Sequence, residues 1–114
     1  MSLTTTMTDD VQIVKVNAER IDAAMAIQFK EDMRTETDSG ASRVILDLSE
    51  VQFIDSSGLG AIVAAMKQLG GSRKLDLAGL TPMVEKVFRL TRMDTVFDLY
   101  GSLSEATAPA NANS

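Results

Sequence analysis

Hydrophobic positions along the chain form short continuous runs that alternate with longer segments of spaced apolar residues. The runs at residues 11–16 and 44–48 are rich in β-branched side chains and therefore predict strands. Residues 44–48 are apolar enough to be buried on both faces of a sheet, which favours a central position. Two further runs predict strands at residues 75–78 and around residues 3–7.

Three longer segments place apolar residues three and four positions apart, which predicts amphipathic helices. The first follows Asp22, a good N-cap, and extends to about residue 37. The second covers residues 59–69 and ends at a Gly-Gly pair. The third begins with Thr81 as the N-cap and Pro82 at the first helical position.

The alternation of strands and helices predicts the fold class. Each strand–helix–strand unit should form a right-handed crossover with its helix packed on the sheet. Residues 95–97 predict a short edge strand, and residues 102–106 predict a last helical turn. We therefore expect an α/β domain with a four- to five-stranded mixed sheet and about four helices packed on it.

The chain is long enough for one domain, which we expect to comprise residues 10–107. Residues 1–9 precede it as an N-terminal segment that adds a short first strand. Nothing functional is assigned to Met1, Ser2 or Leu3, because cloning often adds such residues. The polar, Ala- and Asn-rich residues 108–114 predict a disordered tail.

Composition excludes most catalytic chemistry. The sequence contains no His and no Cys, and therefore lacks the commonest general base, thiolate nucleophiles and the usual zinc ligands. Its net charge of -5 opposes binding to nucleic acids and to anionic membranes. We expect a protein that is not an enzyme, with no catalytic residue and no cofactor. Because no apolar stretch reaches about 18 residues and no signal peptide is evident, a cytoplasmic location is expected.

Two other groups of residues receive structural interpretations. The carboxylates of Asp47, Glu50 and Asp55 flank one strand, where acidic side chains are more often solvated than metal-bound, so no metal site is predicted. Four methionines at helical core spacings are predicted to fill gaps in an aliphatic core. These are Met25, Met33, Met66 and Met83.

The segment with most chemical content is the run Asp-Ser-Ser-Gly-Leu-Gly at residues 55–60, which follows the apolar pair Phe53-Ile54. We interpret that pair as an extension of the central strand, so that the run forms a strand-to-helix turn. Ser57 is then placed to cap the helix, and Gly58 allows a partner's backbone to come close. The hydroxyl of Ser56 is left free and exposed. Local chemistry alone fits an ordinary cap and turn equally well.

In this setting the run resembles the phosphoacceptor motif of the STAS domain family, and specifically of its stand-alone anti-sigma factor antagonists, also called anti-anti-sigma factors. The resemblance covers about residues 10–107. It includes the apolar strand at 44–48, the helix after the run, the Gly-Gly turn, and the Leu-Thr-Pro-Met-Val segment that starts at Leu80. It implies a single STAS-like domain.

The resemblance implies a function for Ser56, the first serine of the pair. In such proteins this serine is phosphorylated by an anti-sigma factor that is itself a serine kinase, and a PP2C-type phosphatase removes the phosphate. The unphosphorylated form captures the kinase and frees its client, such as a sigma factor, and phosphorylation abolishes capture. This is a bacterial partner switch in transcription regulation. The alternative is a STAS subunit bound constitutively in an ABC-type lipid transport complex.

The same resemblance implies a partner-binding surface around this serine. Its predicted members are Asp22, Asp55, Ser56, Ser57, Gly58, Leu59 and Gly60. Asp22 aligns with an aspartate near the phosphosite loop, and a helix N-cap is an equally good interpretation of it. The family usually has Gly where this chain has Glu19, a difference that bears on partner choice.

Overall fold

A computed structural model of the protein describes residues 2–108, in which seven strands and four α-helices are present. The strands are β1 (Leu3–Thr8), β2 (Val11–Val16), β3 (Arg20–Ile21), β4 (Arg43–Asp47), β5 (Phe53–Ile54), β6 (Lys74–Ala78) and β7 (Leu99–Tyr100). The helices are α1 (Ala23–Glu36), α2 (Ser56–Leu69), α3 (Pro82–Leu90) and α4 (Leu103–Thr107). Short 3₁₀ turns occupy Thr37–Ser39 and Met93–Thr95. The predicted disorder after residue 108 lies outside the described residues.

The main sheet has five strands in the order β1-β2-β4-β6-β7, and β4 is central. The hairpin β1–β2 is antiparallel, whereas the other neighbouring pairs are parallel. Parallel neighbours require crossovers, and α1 and α2 supply those between β2, β4 and β6. The predicted α/β class, the mixed sheet and the central strand are confirmed.

Side-chain alternation along the central strands buries both faces of this sheet. Val44, Leu46 and Leu77 belong to the large core that α1, α2 and α3 cover. On the opposite face, Ile45 packs with Ala106 of α4 in a smaller cluster. Burying an aliphatic side chain of this size contributes about 1.5–3 kcal/mol. The double burial explains why β4 is a continuous apolar run in the sequence.

The sequence suggested that the pair Phe53-Ile54 extends the central strand, but this prediction is wrong. After β4, the Asp47 carboxylate accepts from the backbone N–H of Ser49 at 2.9 Å, and the Val51 N–H donates to the Leu48 carbonyl at 3.0 Å. These bonds turn the chain out of the main sheet. The pair instead forms β5, which pairs in parallel with β3 in a separate two-stranded ladder.

The edge strand predicted at residues 95–97 is also wrong. Arg92 adopts a left-handed conformation with φ of 63°, after which the chain forms the 3₁₀ turn Met93–Thr95. This turn directs Phe97 into the core, where its ring meets Phe88 edge-on with 6.0 Å between centroids. The edge strand is β7, two residues further on.

The methionine prediction is confirmed for Met33 and Met66, which pack in the main core. Met33 is buried, and Met25 and Met66 are partly buried. Met83 is 54% exposed, because it lies in the first turn of α3 on the side away from buried Val84. No helix within residues 2–108 is long and apolar enough to cross a membrane.

Candidate functional site

The starts of α1 and α2 lie side by side because the ladder that precedes them is in register. Arg20 pairs with Phe53, and Ile21 pairs with Ile54. The next residue on each chain segment is an aspartate that caps the helix that follows, Asp22 for α1 and Asp55 for α2. The two helix N-termini therefore meet at one place on the surface, beside the predicted phosphosite run.

Asp55, and not Ser57, is the N-cap of α2. Its Oδ1 accepts from the backbone N–H of Gly58 at 2.8 Å, which satisfies an amide left free in the first turn. Asp and Ser are both good N-cap residues, so local propensity does not distinguish Asp55 from Ser57. The helix begins at Ser56, which places Ser57 in its first turn and corrects the predicted division of roles between the serines.

The second carboxylate oxygen of Asp55 reaches the other helix. Oδ2 accepts from the backbone N–H of Ala23, the first residue of α1, at 3.1 Å. One side chain therefore binds the N-termini of both helices, where the helix dipoles favour a negative charge. A pattern within residues 55–60 cannot reveal this bond, because its partner is 32 positions away along the chain.

Ser56 and Ser57 are both exposed at the start of α2. Within residues 2–108, neither hydroxyl makes a hydrogen bond to another side chain or to the backbone. The predicted freedom of the Ser56 hydroxyl is therefore confirmed, and the hydroxyl of Ser57 shares it. Leu59 is half-buried against the core, and Gly60 is exposed.

Gly58 was expected to let a partner's backbone come close, but it does not provide such an approach. The residue is buried, and a Cβ added to it would overlap the carbonyl oxygen of Ile21. The close neighbour is the chain's own β3. Gly58 thus supports the proposed partner surface from beneath and is not exposed on it.

Asp22 is the N-cap of α1, as one of its two interpretations predicted. Its Oδ1 accepts from the Ala24 N–H at 3.1 Å, and its Oδ2 lies 3.6 Å from Nη1 of Arg20. The residue is half-buried and lies next to the Asp55 contact with Ala23. A partner-binding role for Asp22 stays a prediction.

Sequence reasoning missed an exposed pair beside these caps. Phe53 is 39% exposed, and the guanidinium carbon of Arg20 lies 5.4 Å from the centre of its ring. A cation over an aromatic face is a stabilising contact. The signal was present in the alternation of Phe53 and Asp55 around buried Ile54, which places Phe53 on the outer side of a strand.

The acidic residues near this edge have structural partners. Asp47 accepts from Ser49, and Glu50 forms an ion pair with Lys15 at 2.7 Å. In the part of the chain that the structure describes, no group of three or more acidic residues could hold a metal ion.

A sequence model of the STAS domain matches residues 2–106, and the chain therefore belongs to the STAS domain family. A protein of Thermotoga maritima provisionally named an anti-sigma factor antagonist is 35% identical over 86% of this chain and 88% of its own length. The anti-sigma-B factor antagonist of Listeria monocytogenes is 31% identical over 72% of this chain and 73% of its own. These relatives confirm the resemblance to anti-sigma factor antagonists.

Comparison with solved structures leads to the same family. The crystal structure of an anti-sigma factor antagonist from Mycobacterium paratuberculosis superposes with a TM-score of 0.82 at 26% identity. The match covers 92% of this chain and 89% of that chain. The five-stranded mixed sheet with four helices is thus the fold of this family.

Proposed function

We propose that this protein is a cytoplasmic anti-sigma factor antagonist that works as a phosphorylation-controlled partner switch. Unphosphorylated, it captures an anti-sigma factor that is a serine kinase, and the client of that kinase is released. Phosphorylation of Ser56 ends the capture. The observation that supports the proposal is an exposed Ser56 hydroxyl, free of hydrogen bonds within residues 2–108, in a run that resembles a phosphoacceptor motif and lies inside a STAS domain.

In this reaction the chain supplies the acceptor and the kinase supplies the catalysis. The Ser56 Oγ attacks the γ-phosphorus of ATP, an oxygen–phosphorus bond forms, and the bond to the ADP leaving group breaks. The hydroxyl proton passes to a base on the kinase. A PP2C-type phosphatase reverses the modification when water attacks the phosphoserine phosphorus. The chain needs neither a cofactor nor a catalytic residue of its own for this role.

The proposed docking surface consists of Asp22, Asp55, Ser56, Ser57, Leu59 and Gly60, with Gly58 beneath them. A phosphate on Ser56 adds about -1.5 to -2 charges at neutral pH, beside the carboxylate of Asp55. If docking removes the Ser56 hydroxyl from water, burying that phosphate costs several kcal/mol, and about 1.4 kcal/mol is a tenfold change in affinity. Loss of capture on phosphorylation follows from this cost.

The phosphoacceptor assignment is tested with ATP and the serine-kinase anti-sigma factors of the organism that encodes the chain. Mass spectrometry of the product should locate one phosphate, on Ser56. Ser56→Ala should not be labelled. Ser57→Ala is the matched control, because it removes the equally exposed neighbouring hydroxyl, and it should still be labelled on Ser56. A phosphate on another residue, or normal labelling of Ser56→Ala, contradicts the assignment.

The switch itself is tested by binding. Ser56→Ala should keep its affinity for the kinase, whereas Ser56→Asp should bind at least about tenfold more weakly because it places a charge in the docking surface. Isothermal titration calorimetry measures both. Equal affinities would favour a constitutive subunit over a switch.

A further inference from the structure

We propose that Asp55 is a positioning residue, which joins the starts of α1 and α2 into one docking surface. The inference rests on the proposed function. Oδ1 of Asp55 binds the Gly58 N–H at 2.8 Å, and Oδ2 binds the Ala23 N–H at 3.1 Å. The first bond holds the helix that begins with Ser56. The second holds the start of the helix that Asp22 caps.

Backbone contacts behind the Asp55 carboxylate also join the two segments. Behind it, the Asp55 N–H donates to the Ile21 carbonyl at 3.4 Å, and Gly58 lies against that same carbonyl. Those inner contacts involve backbone atoms and fix how closely the two segments approach. Near the surface, the Asp55 carboxylate sets the position of Ala23 relative to Ser56. A partner that touches both helix starts therefore depends on the bridge to Ala23.

The two bonds of Asp55 can be separated chemically. In Asp55→Asn, one carboxylate oxygen becomes an NH₂ group, so a single acceptor remains for two N–H donors. When the side-chain carbonyl oxygen of this variant accepts from the Gly58 N–H, its NH₂ group faces the Ala23 N–H. The bridge is then lost while the cap remains. Asp55→Ser excludes rotation of the amide as an explanation, because serine is a good N-cap with one short oxygen that cannot reach both amides.

The bridge is measured without any partner, by exchange of backbone amide hydrogens in NMR spectra. In both variants, the Ala23 amide should exchange at least about tenfold faster than in the wild type, since its hydrogen-bond partner is gone. The Gly58 amide should stay protected. An Ala23 amide that exchanges at the wild-type rate in both variants would show that no bridge exists and would overturn the inference.

The positioning role is measured with the kinase. Asp55→Asn and Asp55→Ser should each raise the Kd for the kinase by about tenfold or more. The KM for phosphorylation should rise more than kcat falls, because the Ser56 hydroxyl itself is unchanged. Wild-type affinity and KM in both variants, together with a deprotected Ala23 amide, would overturn the role.

Ser102→Ala is the matched control. Ser102 also caps a helix through one bond, from the Glu105 N–H at 3.1 Å, but α4 lies on the opposite face of the sheet. This variant should lower Tm about as much as the Asp55 variants do, because each loses one hydrogen bond at a helix start. Its Kd and KM should stay at wild-type values. If the wild type neither binds the kinase nor is phosphorylated by it, the proposed function fails. The amide exchange still decides whether the bridge exists.

Discussion

Gly58 shows how one position in a functional run can serve packing alone. It lies in the first turn of α2, buried against the carbonyl of Ile21, and a Cβ there would overlap that oxygen. Gly60, two residues later in the same helix, has no atom from outside its own helical turn within 4 Å of the place where its Cβ would be. The two glycines of the run therefore have different structural roles.

Alanine substitutions should separate these roles. Gly58→Ala should lower the free energy of unfolding by about 3 kcal/mol, because a backbone atom of β3 must move. Gly60→Ala should raise it by about 0.5–1 kcal/mol, since alanine is the better helix former. Urea denaturation followed by circular dichroism measures both. A stable Gly58→Ala would mean that the two segments are packed less closely than described.

At the residue scale, the sequence predicted the exposure of the Ser56 hydroxyl correctly, but it misassigned the cap of α2 and the surroundings of Gly58. Ser56 is free, as predicted. The cap was placed on Ser57 because Asp and Ser have similar local propensities. What favours Asp55 is the second oxygen of its carboxylate, which binds Ala23 of another helix. That contact depends on the pairing of β3 with β5, which local chemistry does not encode.

At the element scale, the residue at the N-cap position of α3, Thr81, uses its hydroxyl to bind a different segment of the chain. Thr81 precedes Pro82, as predicted, but its side chain does not cap the helix. Its Oγ1 donates to the carbonyl of Val51 at 2.8 Å, in the turn between β4 and β5. The helix is thereby attached to the segment that leads to the candidate site.

Two substitutions test this attachment. Thr81→Ala should lower the free energy of unfolding by about 1 kcal/mol, the usual net value of such a hydrogen bond. Thr81→Ser keeps the hydroxyl and should remain close to the wild type. Thermal unfolding monitored by calorimetry compares them. An equal loss in both variants would point to the methyl group of Thr81 and not to its hydroxyl.

The long elements were predictable and the short ones were not. Helices α1 and α2 and strands β2, β4 and β6 have clear periodicity, and all are present near the expected positions. The errors fall on residues 53–54 and 95–97, which are too short to show a period. Their conformations are set by turns at Asp47 and Arg92 and by burial of Phe97, which are tertiary effects.

At the scale of the whole molecule, the sheet face under α4 contains a half-buried ion pair. Nε of Arg43 lies 2.7 Å from Oδ2 of Asp76, and Asp76 is fully buried in β6. The side chain of Arg43 keeps 27% of its surface exposed and stacks over the ring of Tyr100, 5.7 Å from its centre. The pair joins two parallel strands, and the two partners differ in their access to water.

That difference predicts unequal costs for removing each partner. Arg43→Met leaves the Asp76 carboxylate buried with Lys74 as its one cationic neighbour within residues 2–108, 3.5 Å from Nζ to Oδ1, and should lower the free energy of unfolding by about 3–5 kcal/mol. Asp76→Asn keeps a hydrogen-bond acceptor and leaves a cation that reaches solvent, so a cost of about 1–2 kcal/mol is expected. Urea titration measures both. A larger loss for Asp76→Asn would contradict this account of the pair.

The free hydroxyls of Ser56 and Ser57 have an evolutionary consequence. The residues that shape the turn, Asp55 and Gly58, are committed to internal contacts, whereas the two serines carry no structural duty among residues 2–108. The residues that shape the turn are therefore different from the residue proposed to carry the phosphate. Under the proposed function, a substitution at position 56 can replace the phosphorylatable hydroxyl by a permanent charge or by a methyl group with little effect on folding. If the protein is the switch that we propose, one such substitution would convert it into a protein that always binds its partner or into one that never does.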